Sequence, residues 1–143
     1  MNIFVVDKDP WVAAQMLCDR HVVKMILESA QMLSTVMHKN GDPGPIRPTH
    51  HNHPCTVWAG ASFDNYLWLC AHFDGLLIEY TKSYNKIHAY QVHLDTLYKY
   101  GLKLPEKGLT PFAQAMPEQY KNPDAVKAYR DYYCGDKTDD HTY

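Results

Sequence analysis

A mostly α-helical single domain, with two long helices, a short C-terminal helix and extended loops between them, is what this sequence predicts. Three observations carry the prediction. In CDRHVVKMILESAQML, residues 18–33, apolar residues recur at helical spacing nearly all round the cylinder, as in a helix that is mostly buried. A second stretch, from residue 62 or 64 to 84, places Tyr66, Leu67, Leu69, Cys70, Phe73, Leu76, Leu77 and Tyr80 at the same spacing. No run alternates polar and apolar residues long enough to make a strand ladder, and no internal repeat interrupts the pattern.

Taken in order, the elements have recognisable punctuation. MNIFVVD is a short apolar opening, read as a strand or as an extended segment pinned to the core. Asp9 followed by Pro10 has the form of an N-cap and a first-turn proline, so a helix starts near Trp11. The helical pattern then runs to Asn40-Gly41, long for a small domain, and a bend near Cys18-Asp19 is expected. Residues 39–57 are rich in Pro, Gly and His and read as a loop. After the second long helix, a weaker one is expected over 88–100, ended by Gly101. Residues 102–123 carry several prolines and read as irregular. Pro123 is then expected to open a short final helix, DAVKAYRDYY, that stops at Cys134-Gly135.

Composition narrows the classes. With 143 residues the chain suits one core and is too short for two ordinary domains, so residues 1–143 are expected to form one unit. No apolar run reaches the roughly 18 residues that a membrane span needs, and a basic flank with a signal core is missing at the N-terminus, so no membrane partner is expected. Cys18, Cys55, Cys70 and Cys134 are irregularly spaced without a CxxC pair, which favours free thiols and a cytoplasmic setting. Lys and Arg total 14 against 16 Asp and Glu, a formal charge of −2, so any nucleic-acid binding has to be local. The 11 Tyr and 3 Trp suit stacking on bases as well as filling gaps between helices.

The first long helix carries His21, Lys24, Glu28, Gln31, Thr35 and His38 on one side. Such a stripe is either the solvated face or the lining of a cleft. Its narrowness and its residue types, suited to acid and base work, favour the cleft. THHNHPC and the Cys18-x-x-His21 spacing make a zinc site from Cys18, His21, His53 and Cys55 conceivable. With no paired CxxC or HExxH beside them, no metal is expected, and His50 and His53 are read as bonding backbone or lining the cleft. In the tail YRDYYCGDK, Arg130, Tyr132, Tyr133 and Lys137 suit stacking beside a phosphate backbone, while Asp131 and Asp136 offset the charge.

In combination these pieces resemble one family, the pyrimidine-dimer DNA glycosylases known from T-even phage. The likeness begins with an extended N-terminal segment leading to a helix with Asp-x-His and a Glu two turns on, here Asp19, His21 and Glu28. It continues through HPCTVWAGASFDNYLWL and the segment Met-Pro-Glu-Gln-Tyr-Lys at 116–121, and ends in YRDYYCGDK. The order of the motifs along most of the chain carries the resemblance, which is distant in identity. It implies a DNA N-glycosylase with associated AP-lyase activity on a damaged or modified pyrimidine in duplex DNA, without a cofactor. The nucleophile it implies is the α-amine of Met1, and the essential acidic group is Glu28. Asn2 is bulky enough that the initiator Met is expected to stay. Asn2, Arg20, His21, Lys24, Gln31, His50, His53, Arg130, Tyr132, Tyr133 and Lys137 are the expected substrate and DNA contacts.

The chemistry follows from ordinary acidities. An α-amine has a pKa of about 7.7–8.0, so on the order of a tenth is neutral at pH 7, where a lysine amine is almost wholly protonated. Attack at a sugar C1′ displaces the base and leaves an imine, and a nearby carboxylate steadies the positive charge that develops. The Met1 nitrogen is accordingly expected within about one water of the Glu28 carboxylate, in a cleft also lined by His21 or Lys24. The chain departs from the family at its lesion-contacting arginines, which are Leu27 and Gln31 around the Glu and Asn2 after the terminal residue. The resemblance therefore speaks for fold and ancestry more than for the base recognised. A related glycosidic-bond enzyme acting on nucleotides or single strands, and a non-catalytic binding module on the same scaffold, are the alternative readings.

Overall fold

The computed structural model describes residues 1–137, with the side chain of Lys137 and residues 138–143 outside the described part. The expected helical architecture is the one found, and no strand occurs among the described residues. Helix α1 (Pro10–Gln15) begins where Asp9 accepts hydrogen bonds from the main-chain N–H groups of Trp11 and Val12, with Pro10 in the first turn. The bend expected near Cys18 is a full break. Cys18 is extended, with φ −71° and ψ 158°, so helix α2 (Asp19–Lys39) is a separate helix.

Helix α2 and helix α4 (Phe63–Tyr84) form the centre, and α1 packs across α4. Gly75 permits that crossing: a Cβ there would lie 3.0 Å from Ala14 Cβ and 3.2 Å from Trp11 Cα. Ser62 caps α4 by accepting from Asn65 N–H, and Asn85 ends it in the left-handed conformation at φ 53°.

The first six residues are extended and nearly all buried, yet they pair with no strand. Several of their main-chain polar groups are met by side chains instead, while Val6 N–H donates to the Phe4 carbonyl at 2.8 Å. The Asn2 carboxamide oxygen accepts from Ile3 N–H and Phe4 N–H, its amide donates to the Ala115 carbonyl, and Arg130 donates to the Val6 carbonyl. Phe4 sits at φ 45°, strained for a bulky residue, and its ring is held between His21 and Tyr133 at centroid distances of 5.4 Å.

Three elements differ from the sequence reading. Overlapping the end of the expected loop, Pro54–Gly60 is a short helix, α3, capped by His53, a residue outside the usual capping set. The segment expected as one helix over 88–100 divides into a 3₁₀ stretch, Ala89–His93, and helix α5 (Leu94–Tyr100). Gly101 does not end it by turning left-handed. Its φ is −51°, a 3₁₀ stretch Gly101–Lys103 follows, and the glycine allows a close approach, since a Cβ would lie 3.1 Å from the Tyr66 ring. The last helix, α6 (Ala125–Tyr132), is capped by Asp124 rather than opened by Pro123, and it runs on through Cys134 and Gly135 as a π-helical turn, Tyr133–Lys137. Among the described residues no helix is long and apolar enough to cross a membrane.

Candidate active site

The extended N-terminus ends against the middle of α2. There Glu28, buried in the helix face, has one carboxylate oxygen 3.0 Å from Asn2 N–H, which donates to it, and 3.5 Å from the Met1 amine. Its other oxygen lies 4.0 Å from Lys24 Nζ. A carboxylate is costly to bury unless it is paired and hydrogen-bonded, and the chain terminus supplies both conditions. The Met1 side chain is only 2% exposed, although the residue as a whole is half-buried, so its exposure lies on the main-chain end that carries the amine. Thr56 of α3, within 3.9 Å of the Met1 sulfur, holds that side chain inward.

The amine and Glu28 border a cavity of about 440 Å³. One wall is α2, through Lys24, Met25 and Glu28; another is the start of α3, through His53 and Pro54. The third is the irregular segment Gln114, Ala115 and Met116 with Lys121, and Tyr132 of α6 closes the rim. Lys121 also pairs with Glu118 at 2.7 Å. A neighbouring cavity of about 570 Å³ shares Pro54, Gln114 and Lys121 with the first.

Of the residues singled out from sequence, Met1, Asn2, Lys24, Glu28, His53 and Tyr132 meet at this cavity. Asn2 reaches it with its carboxamide already committed to Ile3, Phe4 and Ala115. The others are elsewhere, for local reasons. His21 is buried one turn before Lys24, with Nδ1 2.9 Å from the Tyr133 hydroxyl, so it packs the core and does not line the cleft. That same hydroxyl accepts from Cys18 N–H, and the Tyr133 ring is buried, packed edge-on against Phe4 and His21; burial pushes its phenol pKa up. Arg130 donates to the Val6 carbonyl at 2.7 Å and pairs with Asp7 at 3.2 Å, tying α6 to the N-terminal segment. His50 is exposed beside Thr49, Gln31 is half-buried on α2, and Arg20 is exposed near its start. The Lys137 side chain lies outside the described residues.

Three of the four groups of the conceivable zinc site are otherwise placed, and Cys18 is a free, half-buried thiol. Cys55 is fully buried, and desolvation, the dominant influence, pushes its thiol pKa up to about 12, far from a thiolate ligand. His21 bonds Tyr133, and His53 Nδ1 accepts from Cys55 N–H at 3.1 Å. Among the described residues no group of three or more His, Cys, Asp or Glu side chains is arranged to hold a metal ion.

Sequence reasoning missed Phe4, Met25, Pro54, Gln114, Ala115, Met116 and Lys121 as cavity walls. Most are apolar or sit in the proline-rich 102–123 stretch, which has no periodicity to signal a face. The arrangement is an amine, a buried carboxylate and a small open cavity, with lysines at its edge. The chain matches the model of the family described as pyrimidine dimer DNA glycosylase over residues 1–92. Neither the curated proteins nor the solved structures include a significant match.

Proposed function

Because the chain belongs to the pyrimidine dimer DNA glycosylase family, we propose that it is a DNA N-glycosylase with associated AP-lyase activity on a damaged or modified pyrimidine, using the Met1 amine and Glu28. The observation that carries this reading is the 3.5 Å approach of the Met1 nitrogen to the Glu28 carboxylate at a cavity of about 440 Å³. A space of that size takes one flipped nucleoside. The neutral amine forms a bond to C1′ as the glycosidic bond breaks and the base departs with a proton. Glu28 steadies the positive charge on the sugar. Opening of the sugar ring leaves a protonated imine between Met1 and C1′; loss of a proton from C2′ then expels the 3′-phosphate, and hydrolysis of the imine frees the enzyme.

Lys24 and Lys121 at the edge suit the phosphates on either side of the flipped nucleotide. The neighbouring cavity that shares Lys121 leaves room for a flanking nucleotide. The formal charge of −2 favours a second reading, in which the substrate is a nucleotide or a single strand rather than a scanned duplex. Activity on a modified nucleotide, compared with a duplex carrying the same base, separates the two.

The decisive experiment is borohydride trapping on abasic DNA. Acetylating Met1, or adding one residue before it, is expected to abolish the covalent adduct while leaving the fold intact, since a displaced terminus no longer presents its amine at Glu28. Lys24→Ala, which removes the other amine near Glu28, is expected to keep the adduct. The opposite pair of results would move the nucleophile to Lys24. No adduct with any abasic or damaged DNA would favour the non-catalytic module.

A further inference from the structure

His53 lies on the cavity wall between α3 and the N-terminus, and its environment is asymmetric. Nδ1 accepts from Cys55 N–H at 3.1 Å, the capping bond of α3, and Pro54 at the first helical position has no N–H to offer in its place. A ring with Nδ1 committed as acceptor carries its proton on Nε2 when neutral. The groups that act on the ring are the N-terminal charge, His50, Glu28 and the Met1 main chain. One turn along, Thr56 contacts the Met1 sulfur. The start of α3 thus holds the Met1 side chain through Thr56 and sets His53 on the same cavity wall as Met1.

We propose that His53 is a positioning residue for the Met1 amine: locked through Nδ1 to the α3 cap, its ring presents Nε2–H to the Met1 main chain and holds the terminus so that the amine faces the cavity. This rests on the reading of that amine as the nucleophile. Burial, first, and the neighbouring N-terminal charge lower the His53 pKa, the Glu28 carboxylate and the Met1 main chain opposing them. Burial and the N-terminal charge both favour the neutral ring. A neutral donor orients the terminus without placing a second cation beside an amine that must lose its own proton to react.

Two substitutions separate the two ring nitrogens. In His53→Asn the carboxamide stands where Nδ1 stands, so the cap survives and the Nε2 donor is lost. In His53→Gln the amide reaches the Nε2 position, so the donor survives and the cap weakens. Two rates are read for each, with the melting temperature: imine formation on abasic DNA, and acetylation of the Met1 amine by N-hydroxysuccinimide acetate, followed by mass spectrometry of the N-terminal peptide. His53→Asn is expected to melt like wild type, to form the imine on the order of 10-fold to 100-fold more slowly, and to be acetylated severalfold faster because the terminus is released. His53→Gln is expected to melt lower and keep both rates near wild type. Equal rates in wild type and His53→Asn, or equal losses in both variants, would overturn the proposal. If wild type itself forms no imine, the proposed function fails, and the acetylation rates alone still decide whether His53 positions the terminus.

Discussion

The two halves of α2 carry similar polar residues on one stripe and put them to different use. In the N-terminal half, Glu28 meets a charged chain end and an open cavity. In the C-terminal half, Ser34, Thr35 and His38 are covered by the loop that follows the helix. The Ser34 hydroxyl donates to the Ile46 carbonyl at 2.7 Å and accepts from Ile46 N–H at 2.9 Å. Thr35 makes the same exchange with Thr49 at 3.2 Å and 3.1 Å, and His38 Nε2 lies 3.0 Å from the Ile46 carbonyl. Residues 44–49 thus lie on the stripe as a strand would, with hydroxyls standing in for ladder partners. A buried polar side chain on a helix is structural where the covering chain meets its hydrogen bonds, and is a candidate for chemistry where the cover stops short.

The comparison is broken most sharply at its chemical end. Glu28→Gln keeps the shape and the acceptor for Asn2 N–H but removes the charge, so strand cleavage is expected to fall on the order of 10²–10⁴-fold while the melting temperature changes little. A variant that unfolds instead would place Glu28 with the structural half of the stripe.

A smaller effect comes from His72 of α4, a buried polar group that belongs to neither half. Its Nδ1 donates to the Pro10 carbonyl at 2.9 Å, and Nε2 is buried without a partner. Burial lowers its pKa from 6.5 to about 4, the bond to Pro10 opposing it. The folded ring stays neutral while the unfolded one takes up a proton below 6.5, so stability is full above that pH and falls as pH drops toward 4. The loss amounts to about 3 kcal/mol at most. Melting curves between pH 7 and pH 4 should show it, and His72→Phe should flatten them. A slope that persists in His72→Phe would assign the pH dependence to the other histidines shifted in the same direction, His53 at the cavity and His88 after α4.

The smallest change is expected at the structural end. Ser34→Ala removes both bonds between that hydroxyl and Ile46, leaving only His38 Nε2 beside the carbonyl, and is expected to cost about 1–3 kcal/mol in denaturant unfolding, with imine formation unaffected. A parallel loss of imine formation would mean that the loop and the cavity are coupled.

Much of the helical scaffold is legible in the sequence because its signals are local. Asp9-Pro10 and Ser62 start helices by bonds that span two or three residues, and the spacing from Val22 to Met37 and from Tyr66 to Tyr80 marks the faces of α2 and α4. Helix α3 escapes for the same reason in reverse. Seven residues are too few to show a period, and its cap is a histidine whose ring happens to be held in the accepting tautomer. The stripe on α2 is visible too, but periodicity reports only which side a residue is on. It does not report what lies on top.

That second question belongs to contacts between residues far apart in the chain. Glu28 is bonded from 26 residues away by Asn2, while Arg130, itself exposed, and the buried Tyr133 are tied to partners more than a hundred positions earlier, at Val6 and Cys18. The wall from Gln114 to Lys121 joins the cavity only because Asn2 and Tyr129 hold its main chain at Ala115. What the sequence alone determined is the set of helices, their buried faces and the chemical types available on them, since hydrogen bonds of three or four residues' reach and the burial of apolar stripes decide those. Only the tertiary structure decided which polar groups share a cavity and which are consumed in folding, because a donor chooses its acceptor by distance in space, and that distance is set by packing of the whole chain.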